Sequence, residues 1–161
     1  MRHRYNQLRQ FETGVVKKWI VLRNLLTSLI KHWQIKTTPK KARVLKSFAD
    51  KFFNRAKKIY EKYSDDKVVK NELIRLANMY LTNDGGPYRF WWKRKEAGQY
   101  NVKEKFVDLI APTLKDISFS TGFVRNYKLW SRKWDNVEYV LVKLNEKLLA
   151  NVKADVENVE K

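Results

Sequence analysis

Two apolar stripes at helical spacing constrain the fold before anything else does. From about Val15 to Trp33, the residues Trp19, Leu22, Leu26, Leu29 and Trp33 recur at steps of 3, 4, 3 and 4, which places them on one face of an amphipathic helix. Further on, Ala42, Leu45, Ala49, Phe52, Ala56, Ile59 and Tyr63 step the same way, while Lys46, Asp50, Asn54, Lys57 and Glu61 fall elsewhere. That second stripe predicts a long helix over about 39–63. A chain of 161 residues can bury such faces in one domain, but it is too short for two domains of ordinary size.

Between the stripes, Ile35 to Thr37 read as a short extended link, because the residue before a proline is biased away from helix. Thr38 then takes the cap position and Pro39 the first helical one. Ser64 and Asp65 can cap a third helix through Val69, Leu73, Leu76, Ala77 and Tyr80, which is expected to end before Asn83-Asp84-Gly85-Gly86-Pro87. The segment YRFWWKRKEAGQY (88–100) fits no periodic template and reads as a loop or arm. Asn101 and Glu104 form a capping-box pattern that opens a short helix burying Val102, Phe106, Leu109 and Ile110 and stopping near Pro112. FVRNYKLW (123–130) and VEYVLVKL (137–144) read as strands joined at Asp135-Asn136, an antiparallel hairpin.

The predicted fold class is therefore α+β: an N-terminal basic arm (1–14), two or three packed amphipathic helices, a short later helix, and a small C-terminal antiparallel sheet or hairpin. A single domain is expected over 15–146, with 147–161 as a polar C-terminal tail.

Charge narrows the function. The chain carries a net +18, and its 43% hydrophobic content is too high for a disordered basic tail. Residues 1 to 58 hold 16 Lys or Arg against only Glu12 and Asp50, a net +14 that leaves +4 for the other 103 residues. A cluster of this density repels itself unless counterions or phosphates neutralise it, and a polyphosphate backbone does so with entropy gained from released ions. The stretch IKTTPKKARVLK (35–46) makes the point locally. Helix dipoles favour acids in the first turn, yet Lys40, Lys41 and Arg43 follow the cap, with no acid before Asp50. Free amides, two lysine point charges and a bidentate arginine read together as a phosphate site.

Other chemistry finds little support. His3 and His32 are far apart and lack a carboxylate at helical spacing, so neither a metal site nor an acid–base pair is expected. Gly85-Gly86-Pro87 lacks the Gly-Lys-Ser/Thr of a phosphate loop, and Asp65-Asp66 is accounted for by a solvated helix start. We expect no enzyme activity, no cofactor, no metal and no small-molecule substrate. The longest uninterrupted apolar runs, such as Trp19 to Leu22, have four residues, too few for a membrane-spanning helix, so no membrane association is expected. The start MRHRYNQLRQ lacks the apolar region of a signal peptide and the Ser-rich character of a transit peptide. Together with the absence of cysteine, this fits a reducing cytoplasm.

The six tryptophans divide. Trp19 and Trp33 lie on the first apolar stripe and are expected in the core. Trp91 and Trp92, flanked by Arg89, Lys93, Arg94 and Lys95, either stack on unpaired bases or pack against a neighbouring protein. Trp130 and Trp134 enclose Arg132 and Lys133 at the hairpin turn, a further candidate contact with RNA.

Several blocks also carry a family resemblance. MRHR at the start, LRNLLTSLIKHWQIKTTPKKARVLKSFADKF (22–52), FVDLIAPTLKD (106–116), TGFVRNYKLWSRKWDN (121–136) and VLVKLNE (140–146) resemble, in order, the bacterial-type large-subunit ribosomal protein seventeen family, over about residues 1–62 and 101–146. The resemblance implies a structural component of the large ribosomal subunit that binds 23S-type ribosomal RNA through its arm and first helices. It also implies neighbouring large-subunit ribosomal proteins on the exit-tunnel side as partners, and a cytoplasmic ribosome as the location. By position, Arg2, His3 and Arg4 match the arm, Arg23 and Asn24 the first helix, Lys36, Thr37 and Thr38 the link, and Arg125 the strand.

The sequence departs from that pattern in three places. LRQFETGVVKK (8–18) adds Phe11 and Glu12 to the arm, whose charge otherwise continues through Arg9, and sets Lys17-Lys18 where the family has a His-Arg pair. Residues 64–100 are longer and more aromatic than the usual connection, and the glycine-rich start of the hairpin is reduced to Thr121-Gly122. A nucleoid-type, sequence-independent DNA-binding protein is the alternative that the same charge would support.

Overall fold

The computed structural model describes residues 15–82, 101–131, 134 and 136–149, with side chains from residue 18 onward. The expected arm, the 83–100 segment with Trp91 and Trp92, the turn residues Arg132 and Lys133, the side chain of Lys17, and residues 150–161 lie outside the described residues.

The chain folds as α+β, as the patterning predicts. Helix α1 (Val15–His32) leads into strand β1 (Gln34–Thr37), then helices α2 (Pro39–Lys62) and α3 (Asp66–Tyr80). A later helix runs through α4 (Val102–Lys105), a π-helical turn (Phe106–Ile110) and α5 (Ala111–Thr113). Strands β2 (Val124–Ser131) and β3 (Glu138–Leu144) and a 3-10 turn (Glu146–Leu149) follow.

The stripes become the core. Leu22, Leu26, Leu29 and Ile30 of α1 meet Ala42, Leu45, Ala49, Phe52 and Ala56 of α2, with Val69, Leu73, Leu76 and Ala77 of α3 against them. Aromatic rings link these layers to the later helix and the sheet. Phe52 lies 4.6 Å from Phe106 and 5.3 Å from Tyr80, and Phe53 lies 5.3 Å from both Phe52 and Phe123. Spacings of this kind add edge-on and tilted ring attraction to the area buried.

Helix boundaries follow from local chemistry. Asp65 caps α3 by accepting from the Lys67 amide at 3.0 Å. Asn101 and Glu104 form the reciprocal capping box that their spacing predicts. In the π turn the Ala111 amide reaches back to the Phe106 carbonyl, five residues away. Val102, Phe106 and Ile110 are buried as expected, Leu109 is only half-buried, and Val107, Ala111 and Leu114 are buried as well.

The sheet differs from the expectation in one respect. Ile35 to Thr37 are not a link but part of β1, which pairs antiparallel with β3, so the strand order is β1-β3-β2. Val140, Val142 and Leu144 of β3, with Thr37 and Val124 beside them, form the buried face. The core also continues past residue 146: Leu148 is fully buried and Leu149 packs against the core, so the expected tail begins as a docked turn.

Candidate nucleic-acid interface

The opposite face of the sheet is built by alternation. In a strand, residues two apart share a face, and directly paired residues share it across strands. Gln34, Lys143 and Arg125 therefore form one outward row, and Lys36, Leu141 and Tyr127 the next. Lys36, Arg125 and Lys143 are exposed there, on the face that also carries the Tyr127 ring, 44% exposed. The Lys143 Nζ stands 5.8 Å from that ring centroid. No acid lies in either row. Three cations and one accessible ring on a shared face suit phosphate contact with a flat base nearby.

The start of α2 is the second basic element. Thr38 holds the cap position with extended backbone and Pro39 follows as the first helical residue, but the Thr38 side chain makes no capping bond, and the first turn has no acid. Lys40, Lys41 and Arg43 are exposed on this turn. The Asn126 side-chain amide donates to the Ala42 carbonyl at 3.5 Å, which joins α2 to the inward side of β2. The helix start and β2 thus lie side by side, with exposed Lys128 two residues beyond Asn126.

The other expected contacts are placed less uniformly. Asn24 is exposed and Lys18 is half-buried on α1. Thr37 is buried against Val140, and Arg23 is committed to the fold: its guanidinium donates to the Asn78 and Leu81 carbonyls at 3.1 and 2.8 Å. The Arg23 Nε, by contrast, is buried and has no hydrogen-bond partner among the described residues. Trp19, expected in the core, is 42% exposed and meets Phe48 edge-on with centroids 5.2 Å apart. Trp33 is half-buried, with the Lys105 Nζ 4.1 Å from its ring centroid. Trp130 and Trp134 are exposed at the hairpin end.

Sequence reasoning missed Lys143 and Tyr127. The signal was present in the alternation of Leu141 and Lys143 against Val140, Val142 and Leu144, but only the pairing of β3 with both neighbours shows which cations it aligns.

Comparison with known proteins places this architecture. The family model for ribosomal protein L17 matches residues 21–145. The chain belongs to the ribosomal protein L17 family.

Among its relatives is the large ribosomal subunit protein bL17 of Thermotoga maritima, 31% identical over 146 residues, covering 91% of this chain and 95% of the relative. The protein of the same name from Fervidobacterium nodosum is 30% identical, covering 91% of this chain and all of the relative. That of Acetivibrio thermocellus is 25% identical over 159 residues, covering 77% and 90%. The family match spans both basic elements, from within α1 through β3, and runs across residues 64–100.

Proposed function

We propose that this L17-family chain is a structural, non-catalytic constituent of the large ribosomal subunit that binds 23S-type ribosomal RNA by phosphate neutralisation and shape recognition. The observation that carries the reading is the exposed, acid-free cationic face of Lys36, Arg125 and Lys143, continued at the start of α2 by Lys40, Lys41 and Arg43. The relatives' shared name, large ribosomal subunit protein, supports the assembly it belongs to. Arg2, His3, Arg4, Arg9, Lys17, Lys18, Asn24, Arg132 and Lys133 extend the interface along the arm, α1 and the hairpin turn. The resemblance in sequence also supports neighbours among large-subunit proteins on the exit-tunnel side and a cytoplasmic ribosome as the location.

Salt dependence tests the mechanism. If about five basic groups meet phosphates, log affinity for the ribosomal RNA falls against log salt with a slope of roughly −4. Affinity that stays flat with salt contradicts it, and duplex DNA that competes as well as the RNA favours the nucleoid alternative.

A further inference from the structure

A groove of about 630 Å³ opens where α2, the turn before β2 and the segment after β3 converge. Lys46, Arg125 and Lys147 supply its cations and Phe119 and Tyr127 its rings. Among the described residues none of these three cations forms a salt bridge. Asp50 lies one turn from Lys46 and acts on it electrostatically, but its carboxylate is turned to accept the Phe123 amide at 3.3 Å.

The walls are fixed from within the fold. Buried Asn145 donates to the Gly122 carbonyl at 3.0 Å and accepts the Lys147 amide at 3.3 Å, tying the turn that carries Lys147 to the turn that opens β2. Phe119 packs 5.2 Å from the fully buried Phe123, and the Lys147 Nζ stands 5.9 Å from the Phe119 ring. Cations and rings are therefore presented together on a preset frame.

This combination selects its ligand. The carboxylates of an acidic peptide would match the cations and leave the rings unused. A nucleotide brings an anionic phosphate and a flat π face together, and an open groove leaves the strand on either side of it free to continue. We propose that the groove holds an unpaired nucleotide of the ribosomal RNA, its phosphate against Lys46, Arg125 and Lys147 and its base against Tyr127 or Phe119. This rests on the RNA-binding reading given above.

The test is ultraviolet crosslinking of purified large subunits that contain the full chain, followed by mass spectrometry of the peptide–nucleotide adducts. The expected result is an adduct on Tyr127 or Phe119, unchanged by excess free uridine or adenosine monophosphate. Tyr127→Leu, at a half-exposed position, is expected to remove an adduct on that ring and to weaken binding of the full chain to ribosomal RNA roughly tenfold. The combined K46Q, R125Q and K147Q variant is expected to make the salt slope shallower by about 2. Adducts confined to other segments, a protein crosslink in the groove, or displacement by the free mononucleotide overturns the proposal while leaving the RNA-binding reading in place. Failure of the chain to sediment with large subunits overturns both.

Discussion

The guanidinium of Arg23 on α1 reaches the main chain 58 residues away and donates to the Leu81 carbonyl at 2.8 Å. It also donates to the Asn78 carbonyl, so one side chain satisfies two acceptors at the end of α3, where a helix leaves carbonyls without partners of its own. The charge suits the negative end of the helix dipole. The arginine that the family resemblance marks for RNA thus also joins two helices.

Replacing it tests that assignment. Arg23→Gln is expected to destabilise the fold by about 1–3 kcal/mol, the range for losing hydrogen bonds made by a charged donor, measured by urea denaturation. Its effect on RNA affinity should be small once the protein is assayed below its unfolding transition. A variant of unchanged stability and strongly reduced RNA affinity would return Arg23 to the interface.

Asp50 gives a pH signature. Burial raises its pKa, opposed by the Phe123 and Gly122 amides and by the charge of Lys46. A carboxyl whose folded pKa is raised binds its proton more tightly in the folded state, so its contribution favours the fold at low pH and is lost as pH rises from the unfolded value through the folded one. Asp50→Asn keeps an oxygen for the Phe123 amide and removes the charge. We expect its stability, relative to the parent, to improve as pH rises through that acidic window and then to level off, measured by thermal melts across pH. A relative stability that falls with rising pH contradicts the assignment.

Gly122 precedes β2 with φ +87, and nothing lies within 4 Å of where a side-chain carbon would sit. The cost of Gly122→Ala is thus backbone strain alone, about 1–2 kcal/mol. A chemical denaturation midpoint equal to that of the parent would show that the turn relaxes to another conformation.

Changing Lys40, Lys41 and Arg43 together to Gln removes three exposed charges from the first turns of α2, and none of them has an ion pair among the described residues. Melting temperature should hold within a few degrees, while the salt slope of RNA binding becomes shallower by about 2. Unchanged affinity and slope would remove this turn from the interface.

Much of the fold is legible in the sequence because its signals are local. The 3 and 4 spacing of Leu22, Leu26 and Leu29 and of Ala42, Leu45, Ala49 and Phe52 encodes α1 and α2, and Asn101 with Glu104 marks the start of α4. What stays hidden depends on contacts distant along the chain. Gln34 to Thr37 carry too short a pattern to announce a strand, and they become one only through pairing with 140–143. Trp19 shares the stripe of Leu22, yet near the start of α1 its ring meets Phe48 and Tyr80 and stays 42% exposed. Charge marks exposed positions only coarsely: Lys36, Lys40, Lys41, Arg43 and Arg125 are exposed, whereas Thr37 is buried and Arg23 is half-buried against the end of α3, through contacts that no local pattern shows.

The central claim is membership of the large subunit through ribosomal RNA. Its most direct test is sedimentation of a native lysate through a sucrose gradient at high magnesium and moderately high salt, with this chain detected in every fraction. Co-migration with the large subunit at near-unit stoichiometry is the predicted result. Migration as free protein or with DNA would contradict the account.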